Sequence, residues 1–227
     1  MRRAGFRRET TEKLIRKAAV KTIAEYGFKA ASLRKVAEEV GIQAGSLYNY
    51  ITSKDDFLFK LLKEHLELML ADFERQAAEF DDVVEKLRKF IELHMLFHTE
   101  QKEEVIIGNL ELRSLPPKNR KIVTALRDRY SNILTDLIRQ GVKEERFSVE
   151  DPRVATFAII SLMSGVCYWY RDNGRLSRAE LTRLHTRMVF QLLGVEDVPA
   201  KPVNVARRGA RKKAQSPERI GSARTPA

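Results

Sequence analysis

An eight-residue segment without a charged side chain, from Gln43 to Tyr50, carries the groups in this chain best suited to bind another molecule. Amides, hydroxyls and phenols bond to the base edges and phosphate oxygens of DNA. Small residues beside them permit a close backbone approach, and Leu47 is the expected inward anchor. The outward residues would be Gln43, Ala44, Gly45, Ser46, Tyr48, Asn49 and Tyr50. A purely structural surface helix normally carries Lys, Glu and Arg. The segment is therefore predicted either to face DNA or to be tucked into the core.

Two flanking helices would position this segment. Ser32 is a natural N-cap for the helix before it, and Gly41 would end that helix because glycine reaches the left-handed conformation without steric cost. Its apolar face would consist of Leu33, Val36, Ala37 and Val40. Ser53 and Asp56 form an S-x-x-D variant of the capping box, which predicts the start of a longer helix. Lys54 falls at its first position, where an ammonium can reach a phosphate.

These residues resemble the DNA-binding head of the TetR (tetracycline repressor) family of bacterial transcription regulators. The resemblance is carried by Gly27-Phe28, S-L-x-x-V-A-x-x-V-G-I from Ser32, G-S-L-Y-x-Y from Gly45, and Ser53-Lys54. It implies a homodimeric, ligand-responsive regulator of double-stranded DNA, most often a repressor acting at a palindromic operator. It also implies that residues 43–49 enter the major groove. The residues implied to contact the DNA backbone are Ser32, Arg34, Tyr48, Tyr50 and Lys54.

Gln43 departs from this pattern, because the family more often has a small hydroxyl N-cap at that position. A weaker cap and a direct contact with a base are both open to it.

Composition restricts the class of protein. The chain has 227 residues, 43% hydrophobic and 32% charged, which is enough to bury a sizeable core. No run approaches the roughly 18 apolar residues of a membrane span, and the N-terminus lacks the h-region of a secretory signal. Cys167 is the only cysteine, which excludes an intramolecular disulfide. We therefore expect a cytoplasmic protein that does not contact membranes.

The net charge of +11 is concentrated at the two ends. Residues 1–8 carry +4 and residues 200–227 carry +7, so residues 9–199 are neutral. This favours a compact DNA reader with basic extensions over a protein whose entire surface coats nucleic acid. The N-terminal arm either lies along a neighbouring groove or is a solvated terminus. The tail, residues 196–227, is expected to be disordered and either to enter a minor groove or to raise non-specific affinity.

Apolar residues recur at helical spacing along most of the chain, which predicts an all-α fold. We expect residues 1–52 to form the helix-turn-helix head with its basic arm, residues 53–195 a helical effector-binding and dimerisation body, and residues 196–227 a tail. The first helix is predicted from Thr10 to Tyr26. Its inward side chains would be Ile15, Ala19, Thr22, Ile23 and Tyr26. Further helices are predicted over 53–80, 103–114, 118–141, 152–172 and 177–194, and another that starts at Asp81 or Asp82 and continues at least to His98.

The last two helices predict a dimer interface. The one opened by Asp151 and Pro152 is apolar on most sides, so a single chain cannot bury it completely. Small residues at helical spacing, namely Ala158, Ser161 and Gly165, permit a second helix to approach closely. In the last helix the predicted apolar stripe is Leu181, Leu184, Met188, Val189 and Leu192. Two-fold symmetry would then place two heads on one face of DNA. An ordinary monomer core is the alternative.

A helical body larger than a DNA reader requires suggests an effector pocket. Its predicted lining combines aromatic and isolated polar groups: Phe90, His94, Phe97, Asn109, Arg113, Tyr130, Met163, Tyr168 and Trp169. Each of these can instead be plain core. The segment WYRDNGRLSRAEL from Trp169 resembles the TetR branch that responds to acyl-CoA thioesters, which implies an apolar slot for the acyl chain. Arg113 or Arg171 would then meet the phosphates.

Enzymatic and metal chemistry receive little support. His94 and His98 share one helix face, but a metal site needs a third ligand, for which the candidates are His65, Glu100, Glu103 and Glu104. No H-E-x-x-H motif, phosphate loop or nucleophile elbow is present. We predict no metal, no cofactor and no catalysis. The rival to a specific regulator is a basic architectural dimer that binds DNA without sequence preference or effector.

Overall fold

The computed structural model describes residues 2–195, with side chains from residue 9 onward. Within this range every regular element is helical, which confirms the predicted all-α class. The helices are α1 Arg2–Ala30, α2 Leu33–Val40, α3 Ala44–Leu47, α4 Lys54–Ala77, α5 Val83–Glu100, α6 Lys102–Glu111, α7 Pro117–Lys143, α8 Pro152–Ser164, α9 Val166–Trp169 and α10 Arg178–Leu192. A 3-10 turn, Leu112–Ser114, follows α6. The predicted basic tail lies outside the described residues.

Side-chain caps explain where the body helices begin. Ser53 Oγ accepts a hydrogen bond from the backbone N–H of Asp56 at 3.0 Å, which starts α4. The carboxylates of Asp82 and Asp151 accept from the opening N–H groups of α5 and α8. Ser177 and Glu180 form a complete capping box at α10. Because each cap is encoded within four residues, these helix starts were predictable from sequence.

Several sequence predictions about the helices were wrong. α1 begins at Arg2 rather than Thr10, so residues of the predicted basic arm continue the helix. Tyr26 is 50% exposed, because its ring supports the Lys35 ammonium at 4.7 Å instead of entering the core. The other four inward residues of α1 are buried as predicted. The helix opened by Asp151 is interrupted at Gly165 and resumes as α9.

Three apolar clusters connect the head to the body. The first joins α1, α2 and α3, with Ile15, Val36 and Leu47 at its centre. The second joins the end of α1 to α4, α6 and α7. The third fills the body between α4, α5, α7, α8 and α10. The second cluster spans the predicted domain boundary near residue 52, so movement in the body is mechanically linked to α1. No helix in residues 2–195 is long and apolar enough to span a bilayer.

Candidate DNA-binding surface and effector cavity

The surface of α3 points away from its own subunit. Leu47 is 0% exposed and packs into the first apolar cluster, while Tyr48 is 61% exposed. Six further residues around it are exposed or half-buried, and these are Gln43, Ala44, Gly45 and Asn49 on the open side, with Ser46 and Tyr50 at the edge. The alternative of a helix tucked into the core is therefore excluded. One buried leucine anchors a short rod whose remaining polar groups meet solvent.

The rod is shorter than predicted. α3 ends at Leu47, and residues 48–50 form tight turns in which the N–H of Asn49 donates to Ser46 O and that of Tyr50 to Leu47 O. Gln43 occupies the N-cap position without a side-chain capping bond, as its chemistry suggested. The amide of Gln43 is thus left outside the helix-capping network.

Two of the predicted DNA-backbone contacts lie beside this rod on α2. Arg34 is exposed and its Nε lies 3.2 Å from Glu38 Oε1. Ser32 is the N-cap residue of α2 by position, but its hydroxyl makes no capping bond. Its predicted capping role is therefore wrong. Gly41 ends α2 in the left-handed conformation, with φ 74°, as predicted.

The ammonium of Lys54, which was predicted to reach a phosphate, bonds to its own subunit in the structure. Its ammonium donates to three carbonyl oxygens at the end of α1, those of Phe28, Lys29 and Ala31, at 2.7, 3.0 and 3.2 Å. It also lies 4.7 Å from the centre of the Phe28 ring. An ammonium has three N–H donors, and all three find acceptors here. Lys54 therefore ties α4 to the short turn that follows Gly27, a residue with non-helical φ 77° at which α1 is kinked.

A cavity of about 300 Å³ lies in the body between α4, α5, α6, α7 and α8. Ten of its eighteen lining residues are polar or charged, so this wall is more polar than that of a typical ligand pocket. The polar and charged residues that line it are His65, His94, His98, Glu104, Asn109, Arg127, Asp128, Tyr130, Ser131 and Ser164. Phe157 also lines it and is 51% exposed, so the cavity reaches the surface beside α8.

Of the predicted lining residues, His94, Asn109 and Tyr130 are in the cavity wall. The others are elsewhere. Phe90, Phe97 and Met163 are buried in packed core. Arg113 is exposed outside the cavity, and Tyr168 and Trp169 lie on the outer surface of α9, where Trp169 is 54% exposed. The break at Gly165 accounts for the last error, because it turns α9 away from the cavity.

Arg127 is the charged residue that the sequence prediction missed. Its Nη2 donates to Gly108 O at 2.6 Å, and burial lowers the pKa of its guanidinium. No carboxylate in the described part of the chain forms an ion pair with it. Arg171, an alternative phosphate ligand in the sequence prediction, instead donates to Tyr170 O at 3.0 Å. A cation set in the cavity wall can receive the polar part of an apolar ligand.

The imidazoles in the wall are fixed by protein hydrogen bonds. His94 Nδ1 lies 3.0 Å from Tyr130 Oη, and its Nε2 lies 3.2 Å from Ser164 Oγ. His98 Nδ1 donates to His94 O at 2.9 Å, since a carbonyl can only accept. Burial lowers the pKa of His94 well below its usual value and that of His98 to about 3. Both rings are therefore neutral at pH 7 and stack at 3.7 Å.

The hydrogen bonds of these histidines also determine which ring nitrogens remain available to a metal ion. Both nitrogens of His94 already have protein partners, and His65 Nδ1 is 2.9 Å from Gln101 Oε1. Within residues 2–195 no three or more His, Cys, Asp or Glu side chains are grouped as a metal site requires.

Direct polar contacts run from the cavity to α1. Glu104 lines the cavity and accepts from Arg16 Nη2 at 3.1 Å. Arg16 Nη1 also donates to Glu64 Oε2 at 2.7 Å. At the other end of α6, the carboxylate of Glu111 accepts from the backbone N–H of Phe28 at 3.0 Å. α6 therefore holds α1 at two points, one of them on the cavity wall.

The outer surface of α8, α9 and α10 is an apolar face, defined here by exposed residues at helical spacing. Its members are Val154, Phe157, Ala158, Ser161, Tyr168, Trp169, Met188 and Leu192. The opposite side of α10 is buried through Leu181, Val189 and Phe190. An exposed apolar surface of this extent is typical of a protein interaction site.

Comparison with known proteins agrees with this architecture. A family model described as bacterial regulatory proteins of the tetR family matches residues 15–61, and one described as a tetracyclin repressor-like C-terminal domain matches residues 81–193. The fatty acid metabolism regulator protein of Bacillus subtilis is 29% identical over 56% of this chain and 65% of its own length.

Solved structures give the same result. The TetR family regulator PfmR from Thermus thermophilus is 29% identical, with a TM-score of 0.70, and the match covers 78% of this chain and 97% of PfmR. AibR, solved with isovaleryl coenzyme A and operator DNA, shares the fold at 22% identity and a TM-score of 0.71, over 79% of this chain and 98% of AibR. The two family models together span the helical head and body, and this chain belongs to the TetR family of bacterial regulatory proteins.

Proposed function

We propose that this protein is a transcriptional repressor that binds a palindromic operator as a homodimer and is released by a small apolar effector, an acyl-CoA. The observation that carries the proposal is the outward, uncharged rod of α3, held by Leu47 and flanked by Arg34. The residues proposed to enter the major groove are Gln43, Ala44, Gly45, Ser46, Tyr48 and Asn49. Ser32, Arg34 and Tyr50 would contact phosphates. Lys54 supports this surface from behind by fixing α4 to α1.

The apolar face supplies the proposed dimer interface. Two copies packed through α8 and α10 would bury side chains such as Phe157 and Met188, which are exposed in one subunit. Two-fold symmetry then presents two α3 rods, and half-sites on B-DNA lie about 34–36 Å apart. Ala158 and Ser161 are small enough to let the helices of the two subunits approach closely.

The proposed effector site is the cavity beside α5. Its volume of about 300 Å³ is at the lower end of the range for ligand pockets, which is about 300–1,000 Å³. An acyl chain would lie against apolar wall residues such as Leu66, Met69 and Ile160. The Arg127 guanidinium would meet the thioester carbonyl or a phosphate. The similarity to AibR, whose structure contains isovaleryl coenzyme A, supports this class of effector.

The proposed coupling passes through α6. A ligand that displaces Glu104 would loosen its ion pair with Arg16 on α1 and change how α1 is seated on the body. Ligand weakens operator binding only by the difference between its affinities for the two arrangements. The Arg16 contacts are therefore proposed to set the size of that difference.

The experiment that tests the proposal is a mobility shift with DNA flanking the coding region of the protein, with and without a panel of acyl-CoAs. A specific regulator should prefer its site over competitor DNA by about 10³ or more. Equal binding to competitor would instead favour the architectural alternative, and failure of every acyl-CoA to release operator would reject the effector assignment. A cytoplasmic location and the absence of catalytic activity are parts of the same proposal.

A single substitution tests the proposed coupling between the effector cavity and α1. Arg16→Gln should bind both operator and acyl-CoA, but acyl-CoA should no longer weaken operator binding to the same extent. Lys13→Gln is the matched control, since Lys13 is an exposed residue of α1 that pairs with Glu9 of the same helix. Equal responses from the two variants would exclude Arg16 as the link.

A further inference from the structure

A second cavity, of about 670 Å³, lies between α5 and α10 on the side of α5 opposite the effector cavity. We call it the basic cleft. Its wall contains five cationic side chains and a single acidic one, and these are Arg88, Lys89, Arg178, Arg183, Arg187 and Glu92. The excess of positive charge is unusual here, because the chain from residue 9 to residue 199 is neutral overall.

Three of the five cations have carboxylate partners. The pairs are Arg88 with Glu85 at 3.5 Å, Lys89 with Glu92 at 2.7 Å, and Arg178 with Glu100. Arg88 is also held over the Phe190 ring at 5.2 Å. These side chains are therefore fixed in the wall of the cleft, and their charges are largely compensated.

Arg183 and Arg187 are not compensated in this way. Neither forms an ion pair with a carboxylate in the described part of the chain. Glu180, one turn from Arg183, directs its carboxylate to the backbone N–H and hydroxyl of Ser177 at 2.8 and 2.7 Å; Arg183 attracts it through space and helps to lower its pKa, but the two form no ion pair. Two guanidinium charges thus remain in the cleft, one turn apart on the same face of α10.

Two N–H donors in the cleft are also unused. The Nε atoms of Arg178 and Arg183 are buried and have no hydrogen-bond partner among the described residues. A buried donor without an acceptor is unfavourable. Guanidinium groups bind phosphate oxygens in a forked geometry that uses such N–H groups. Both Nε atoms lie behind the cleft wall, so a ligand in the cleft would bond to the outer N–H groups of the guanidinium ends instead.

The basic cleft is separate from the effector cavity. It uses Lys89, Leu93 and Leu96 on α5, whereas the effector cavity uses His94 and His98 from the other side of the same helix. Leu93 and Leu96 give the cleft an apolar floor beneath its charged rim. A ligand in one cavity therefore does not occupy the other.

We propose that the basic cleft is an anion site that takes a phosphomonoester. A phosphomonoester carries about −1.5 to −2 charges at pH 7, which matches the two uncompensated guanidinium groups. Its oxygens would accept from the outer guanidinium N–H groups of Arg183 and Arg187, the two arginines of the cleft without an ion-pair partner in the described part of the chain. This site does not depend on the acyl-CoA assignment, since it lies on the opposite side of α5.

The test is a titration of the full-length protein with inorganic phosphate at constant ionic strength, followed by NMR of the arginine Nε–H signals. Phosphate should shift the signals of Arg183 and Arg187. Arg183→Gln should weaken phosphate binding by about tenfold, since the bonds it removes join two charged groups. Arg187→Gln is the second variant, in case the first one fails to fold. Arg120→Gln removes an exposed arginine of α7 outside the cleft and should change the affinity less than about twofold.

Equal affinities in Arg183→Gln, Arg187→Gln and Arg120→Gln would overturn the proposal, as would the absence of any shift in the wild-type protein. A parallel titration with coenzyme A separates free phosphate from the phosphate of a nucleotide as the source. Operator release by acyl-CoA, measured in the same variants, distinguishes the two proposals. Its absence from the wild-type protein would reject the effector and leave the phosphate result standing.

Discussion

The α3 surface and the effector cavity both present polar groups to a ligand, but the α3 groups are uncharged and hydrated, whereas those of the cavity include charged side chains and are held by protein bonds. Tyr48 on α3 faces solvent, whereas Tyr130 in the cavity is buried against His94 and Phe90. A surface that exchanges water for DNA can leave its polar groups hydrated until DNA arrives. A cavity must fix its polar groups beforehand, because a buried group without a partner is costly. Substitutions on α3 should therefore change the DNA sequence preference without changing the free energy of unfolding. Substitutions in the cavity should change both the ligand preference and the free energy of unfolding.

The largest separation between the two regions is expected from Ala158→Arg. A charged side chain in the apolar face would oppose packing of a second subunit, so the protein should become monomeric and lose operator affinity by about 100-fold or more, or about 2.8 kcal/mol. Every residue of the cavity wall belongs to one chain, so the monomer should still bind acyl-CoA, with Phe157 at the mouth no longer covered by a second subunit. Analytical ultracentrifugation and calorimetry measure the two properties. Ala125→Arg, on the exposed side of α7, is the control, and a dimeric Ala158→Arg protein would reject this interface.

Arg127→Gln should have the opposite effect, because it changes the cavity and leaves the α3 surface and the dimer interface intact. Loss of this cation from the cavity wall should weaken acyl-CoA binding by about 30-fold, or about 2 kcal/mol, as hydrogen bonds to charged groups are worth about 1.5–3 kcal/mol. Operator affinity without ligand should change little. Calorimetry of this variant beside Arg113→Gln compares the arginine in the wall with an exposed one, which is one of the two phosphate ligands that the sequence analysis named. If Arg113→Gln were the more damaging change, the ligand would lie outside this cavity.

Within the DNA-binding head, Asn49 and Lys54 should respond differently. Asn49→Ala should alter preference at one base pair by about 1–3 kcal/mol, with the thermal midpoint unchanged. Lys54→Ala removes three bonds to the end of α1, so it should lower the thermal midpoint and weaken all sequences alike. Competition shifts with single-base operator variants, together with thermal unfolding, provide the measurements. An unchanged midpoint for Lys54→Ala would return Lys54 to the role of a phosphate ligand.

The two regions also differ in how far their sequence predicts them. Leu47, Gly41 and the outward side of α3 follow from residues within one or two turns, so local pattern was sufficient. The cavity depends on which inward side chains of five helices fail to fill the space between them. Phe90 and Met163 are residue types that commonly line a pocket, but their side chains pack into the core. The position of Arg127 could not be predicted, because nothing in the sequence near it indicates that Gly108 O would accept from it.

The smallest expected difference between the two regions is in the pH dependence of stability, because the cavity contains buried histidines and α3 contains none. Burial holds the pKa of His98 at about 3 in the folded protein, whereas an unfolded chain titrates near about 6.5, so the unfolded state binds the extra proton as pH falls. The stability that depends on neutral His98 is complete above about pH 6.5 and should decline by about 1.4 kcal/mol per pH unit below about pH 6. His98→Gln should remove that part of the slope in urea unfolding between about pH 7 and pH 5. From about pH 7.5 to 8.5, where His98 is neutral in both states, the two proteins should respond in parallel. Identical slopes at acidic pH would mean that His98 is solvated, and the preorganised cavity would then be no more rigid than the α3 surface.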